Sequence, residues 1–196
     1  MPSRDLGFER SFLIESVTSG VDITSFQHYG GTHKKSKPIA ILRLETDWFQ
    51  DIERSMVRGY MLNYIKADYD FSTIFKIALD KLAKMYFKIR RPKISEAIKN
   101  KRIPNQFICS GFIQYGYFTT AQKLIDNEKL PPEAMDSVLF HKELTGSPSE
   151  KALLSVTPED LADSEHLSWK YVIKDGTAYK VKSAAHGKSL LESKKT

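Results

Sequence analysis

The spacing of hydrophobic and polar positions changes several times along the chain, and each change marks an element. In "SFLIESVTSGVDITSF", residues 11–26, Val21 and Ile23 alternate with Asp22 and Thr24, the period of a half-buried strand. The segment predicts two short strands around a turn at Ser19-Gly20. A polar loop containing glycines, "QHYGGTHKKSK", comes next. "PIAILRL", residues 38–44, is an unbroken apolar run headed by Pro and suits a buried strand.

Beyond residue 44 the period lengthens. Ile52, Met56, Tyr60 and Tyr64 recur every fourth residue and predict a helix. Asp47 is its expected cap, with Gln50 three residues on in capping-box register. Gly59 weakens that helix by about 1 kcal/mol relative to Ala. After "KADYDF", a second stripe of Ile74, Ala78, Leu82, Met85 and Ile89 predicts a helix over 72–89, ended by Pro92. A third helix runs from near Gln106 or Ile108 to about Asn127, and Pro131-Pro132 closes that region. "GSPSE", residues 146–150, reads as a loop. "KALLSVTPEDLADSEHL" combines a short apolar run with a Thr-Pro-Glu-Asp helix start. "SWKYVIKDGTAYKV" predicts a hairpin turning at Asp175-Gly176. Residues 183–196 are polar and expected to form a frayed, flexible tail. Strands, helices and further strands in that order indicate an α+β class, with residues 1–182 forming one domain.

Composition narrows the function. A chain of 196 residues supports one well-buried core. No apolar run reaches the roughly 18 to 20 residues that span a bilayer, and "MPSRDLGFERSFLIES" lacks the apolar stretch of a signal peptide. The single cysteine excludes an intramolecular disulfide and a cysteine-built zinc site, which favours a reducing, cytoplasmic setting. No metal or organic cofactor is called for. The net charge of +6 is concentrated in residues 84–102, "KMYFKIRRPKISEAIKNKR", where Glu96 is the single acid. Such a segment can neutralise phosphates, or it can be a solvated helix face. No recognition helix, aromatic RNA-binding strand or Gly-rich phosphate loop accompanies it, so nucleic acid is not the expected partner.

The lone thiol, Cys109, opens the third apolar helical pattern in "PNQFICSGFIQYGYF". Thiols attack as thiolates, and a free cysteine titrates at roughly 8.5. A helix tip favours the anionic form through its unpaired N–H groups. Ser110 and Gly111 beside it are small, leaving room for a substrate. A buried, inert cysteine among apolar residues fits the same stretch.

The sequence resembles a known family at several points. "FICSGFIQYGYF" is similar to the nucleophile helix of circularly permuted, NlpC-type papain-like cysteine hydrolases, the YaeF/YiiX-like group. "FLIESVTSGVDITSF" resembles that family's strand pair bearing an acidic residue, and "PIAILRLE" the strand after it. "ADYDF" and "SVTPEDLADSEHL" match further pieces, so the likeness extends over residues 11–175 and rests on order and spacing. It implies an antiparallel sheet packed on helices and thiol-mediated acyl transfer on a peptide, amino-acid or cell-wall-related substrate. In that scheme Cys109 is the nucleophile and Glu15 the acid that orients a histidine, while Tyr69 and Ser110 are candidates for contact with substrate.

One departure is large. The family's histidine lies on the strand preceding the acidic one, in a Ser-His-small-apolar motif, and residues 1–14 contain no histidine. Three explanations compete. The chain begins late, its first strands and any export signal lying upstream; another histidine, His28 or His33, serves instead; or the scaffold persists as a noncatalytic binding module, with residues 84–102 contacting an anionic partner.

Overall fold

A computed structural model of the protein describes residues 11–30, 38–70 and 106–193. The expected helix over 72–89, the basic segment 84–102 and His33 lie outside the described residues. What is described is α+β, with three small sheets and seven helices, one of them 3-10.

The first sheet is the hairpin β1 (Phe12–Val17) and β2 (Gly20–Ser25). Val17 pairs with Gly20, so the loop is Thr18-Ser19 and Gly20 opens the second strand; the expected Ser19-Gly20 turn is displaced by one residue. The reason is contact with the segment after the first long helix. Gly20 has φ +109°, and a Cβ there would lie 2.6 Å from the Ala67 carbonyl oxygen. Val21 N–H donates to that same oxygen at 2.9 Å, and Lys66 N–H donates to the Val21 carbonyl at 2.8 Å. Ser16 and Val21 are buried at this end of the hairpin, whereas Phe12 and Ile23, farther along the same face, are 75% and 42% exposed. The alternation read at Val21 and Ile23 therefore buries the first only.

A three-stranded antiparallel sheet is formed by β3 (Ile39–Leu44), β6 (Leu167–Lys174) and β7 (Thr177–Lys180), in the order β3-β6-β7. The unbroken apolar run of β3 is accounted for by cover on both faces. Ile39 and Ile41 pack with Phe26, Ile173 and Ala178, while Ala40 and Leu42 pack with Trp169 and Val172. The β6–β7 turn is Asp175-Gly176, with φ of 52° and 72°, as the Asp-Gly pair predicts.

The end of the chain is not a frayed tail through residue 193. Ala184–Glu192 is a helix packed on β6, capped by Ser183, whose side chain accepts from His186 N–H at 3.2 Å. Gly187 lets it approach, because a Cβ there would be 2.2 Å from Trp169 Cε3. At its other end the Lys174 ammonium donates to the Leu190 carbonyl at 3.0 Å. A polar contact at each end, a glycine against the Trp169 ring and the packing of Leu190 and Leu191 dock a helix too short to show a long apolar stripe.

In chain order the helices are α1 (Gln27–Gly30), α2 (Asp51–Leu62), α3 (Cys109–Asp126), a 3-10 helix (Pro132–Val138), α4 (Glu150–Leu154), α5 (Pro158–Asp163) and α6 (Ala184–Glu192). Gln50, not Asp47, caps α2, and its N–H donates to Glu53 at 2.9 Å. The buried face of α2 is Val57 and Met61, while Ile52 is 72% exposed. The expected stripe is thus rotated by one residue, about 100° around the helix axis. Met61 meets α3 at Gly116, where an added Cβ would lie 3.0 Å from Met61 Cγ. Around α3 the main core collects Phe49, Phe107, Phe112, Val138, Phe140 and Leu153, all buried.

Candidate nucleophile site at the start of the third helix

Two short parallel strands lead into α3. β4 (Asp68–Tyr69) pairs with β5 (Gln106–Phe107), Tyr69 opposite Phe107. Phe107 is fully buried, and its carbonyl accepts from the Ser16 hydroxyl at 3.0 Å and from Asp70 N–H at 3.1 Å. Backbone pairing and an anchored aromatic ring therefore fix the chain just before it turns. Ile108 is extended, with φ −89° and ψ 157°, and Cys109 is the first helical residue. The first helical bond runs from Phe112 N–H to the Ile108 carbonyl at 2.9 Å. The N–H groups of Cys109, Ser110 and Gly111 precede that ladder, which is where a helix offers donors to an anion. Cys109 is exposed, so the buried alternative for this thiol does not hold.

Tyr69, opposite Phe107 on β4, lies within electrostatic range of the thiol. Burial first, and then the negative charge Cys109 carries when ionised, push the Tyr69 hydroxyl above its ordinary value of 10. The phenol thus keeps its proton and can serve as a donor at neutral pH.

Ser110 and Gly111 have a different use from the one expected. Ser110 is 1% exposed, and its hydroxyl donates to the Val156 carbonyl at 2.6 Å. A Cβ on Gly111 would lie 2.3 Å from the Leu154 carbonyl oxygen. The space left by these small residues is filled by the chain over 154–156. Ser110 offers no side-chain contact to a substrate.

Glu15 sits elsewhere on the hairpin. Along β1, Ile14 and Ser16 face the main core and the Phe107 carbonyl, while Leu13 packs with Phe26, Ile173 and Ala178. Strand alternation puts Glu15 on Leu13's side, away from Ser16. Its hydrogen-bond partner among the described residues is the Tyr29 hydroxyl, which donates to Glu15 Oε2. That bond, with burial and the carboxylate charge behind it, pushes Tyr29 up from 10 to about 12. A phenol raised in this way favours the folded state fully below its unfolded value of roughly 10, and the gain vanishes as pH climbs through the folded value. Glu15→Gln is expected to bring the Tyr29 ionisation down toward 10. The check is tyrosinate absorbance against pH, with Tyr29→Phe as the blank; a titration identical to wild type would show that Glu15 does not hold the phenol.

The histidines are placed as follows. His28, exposed on α1, stacks edge-to-face on Tyr29 with centroids 5.3 Å apart. His141 has both nitrogens engaged: Nδ1 accepts from Glu143 N–H at 3.1 Å and Nε2 lies 3.4 Å from Asp160 Oδ1. His166 lies beside Glu165, and His186 Nδ1 accepts from Lys182 N–H at 3.4 Å. Among the described residues no histidine hydrogen-bonds to Cys109 or Glu15, and no group of three His, Cys, Asp or Glu side chains is arranged to hold a metal. No described helix is long and apolar enough to cross a membrane.

Sequence reasoning missed Gln114, which is fully buried and holds two backbone groups. Its signal was available, as a polar residue interrupting an apolar helix with no exposed face to occupy. The partnership of His141 with Asp160 had no such signal, because they lie 19 positions apart in the sequence.

Comparison with family models, with curated proteins and with solved structures finds no match in any of the three.

Proposed function

We propose that the chain is a papain-like domain of the permuted NlpC type whose Cys109 performs thiol-mediated acyl transfer. The observation that carries the reading is an exposed sulfur at the first position of an 18-residue helix, within electrostatic range of the Tyr69 hydroxyl. In this mechanism the thiolate attacks the carbonyl carbon of an amide or ester, and the carbonyl π electrons move onto oxygen. The oxyanion is met by the N–H groups at the start of α3 and by the Tyr69 hydroxyl. Collapse breaks the bond to the leaving amine or alcohol, which departs with a proton, and water then releases the acid from the thioester. The substrate class is a peptide, an amino-acid derivative or a cell-wall-related amide. The proton shuttle is a histidine, as in the family the sequence resembles, with His28 and His33 as the candidates; His141 is spoken for at both nitrogens.

A second reading, a noncatalytic binding module on the same scaffold, is favoured by the absence of a described histidine at Cys109. One experiment separates the two. With p-nitrophenyl acetate, the enzyme reading expects stoichiometric acetylation of Cys109 followed by continued release of nitrophenolate. Cys109→Ala should cut that release by on the order of 100-fold or more. Release unchanged in Cys109→Ala ends the enzyme reading, and acetylation without turnover favours the binding module.

A further inference from the structure

We propose that His141 and Asp160 position the Cys109 thiol by closing a clamp on the first turns of α3. Ser110 and Gln114 are four residues apart, on one face of the helix, and are 1% and 0% exposed. Each grips the backbone of a different segment. The Ser110 hydroxyl donates to the Val156 carbonyl at 2.6 Å. Gln114 Nε2 donates to the Val138 carbonyl at 2.7 Å, and its Oε1 accepts from Phe140 N–H at 2.9 Å.

The two gripped segments are joined to each other immediately beyond these bonds. His141 follows Phe140, and Thr157 follows Val156. Asp160 Oδ2 accepts from Thr157 N–H at 2.8 Å and from the Thr157 hydroxyl at 2.7 Å, while Asp160 Oδ1 faces His141 Nε2 at 3.4 Å. Because Nδ1 of His141 accepts the Glu143 N–H, the ring carries its proton on Nε2, toward the carboxylate. The ring of contacts is therefore complete, from helix to one segment, across the His–Asp pair, and back through the other segment to the helix. Only the first two turns of α3 are inside it, and Cys109 is the residue they present. Neither His141 nor Asp160 touches a reacting atom; both act through Ser110 and Gln114, by holding still the first turn of α3, which carries Cys109.

The chain's single cysteine makes the test specific, since alkylation by iodoacetamide reads Cys109 alone. An Asn side chain can replace Nδ1 but does not reach Asp160, whereas Gln places an N–H near the position of Nε2. His141→Asn is expected to slow alkylation about threefold or more and to speed amide exchange over residues 112–114 by a similar factor. His141→Gln should restore both. Asp160→Asn, which keeps an acceptor for Thr157 but turns an N–H₂ toward the imidazole N–H, should repeat the effect if His141→Asn fails to fold. Thr120→Ala, which removes a buried hydroxyl bonded to the Gly116 carbonyl farther along the same helix, should lower Tm without altering alkylation. Wild-type alkylation and exchange in both His141→Asn and Asp160→Asn would overturn the clamp, as would an equal change in Thr120→Ala. The inference builds on Cys109 as the reacting group, but its readouts need no acyl turnover. Wild-type protein that shows the clamp response but no Cys109-dependent release of nitrophenolate would therefore count against the acyl-transfer reading alone.

Discussion

Gly111→Ala should destabilise the fold by about 3 kcal/mol or more, at the upper end of what overpacking costs. The added Cβ would stand 2.3 Å from the Leu154 carbonyl oxygen, 2.8 Å from its carbon and 2.9 Å from its Cα. These are backbone atoms, so no rotamer change relieves the overlap. Moving the helix α4 aside would stretch the bond from Ser110 to Val156 and lift Leu153 from the core. Urea denaturation checks this, with the midpoint expected to fall while the slope stays constant. Gly59→Ala is the control, because a Cβ on that helical glycine meets nothing within 4 Å. It should raise stability by roughly 0.5–1 kcal/mol. Equal stability of Gly111→Ala and wild type would mean that α4 does not press on α3 in solution.

Gln114→Leu is the second large effect. The replacement keeps most of the volume but deserts a buried carbonyl, on Val138, and a buried N–H, on Phe140. Each unsatisfied group costs about 1–3 kcal/mol, so the loss should be roughly 2–5 kcal/mol in thermal or urea melts. Gln114→Glu adds a dependence on pH with a definite sign. A carboxyl can still donate to the Val138 carbonyl while protonated, but once ionised it sets negative charge against that oxygen. Burial and this repulsion hold the folded pKa above the unfolded value of roughly 4.3. The variant should be closest to wild type in acid and lose stability as pH rises beyond that value. A deficit that shrinks with rising pH would rule out this geometry.

The elements that could be read from sequence were those determined by neighbouring residues. Asp175-Gly176 specifies a tight turn through its own backbone preferences, and both residues have positive φ. Thr157 and Asp160 form a capping box three residues apart, which marks the start of α5. The start of α3 was legible to within one to three residues, near Gln106 or Ile108, for the same reason, as the onset of a long apolar pattern. What failed depended on partners distant in sequence. Ser110 and Gly111 are small in order to admit residues 154–156, and nothing local distinguishes that from making room for a ligand. The buried side of α2 was set by Gly116 on another helix, which selects Val57 and Met61 over Ile52. For Glu15 the strand was legible but its company was not. Its phenol partner, Tyr29, lies on a short helix where the sequence suggested only loop.

The chain has two tryptophans, and they sit in different parts of its architecture. The Trp48 indole donates to Ser137 at 3.2 Å beside the helical core, whereas that of Trp169 donates to the Ala162 carbonyl at 3.0 Å beneath α6. Replacing either with Phe leaves one emitter assigned to one region. The two fluorescence transitions then coincide if the helical core and the three-stranded sheet melt as one cooperative unit, and separate if docking of the last helix is a step of its own.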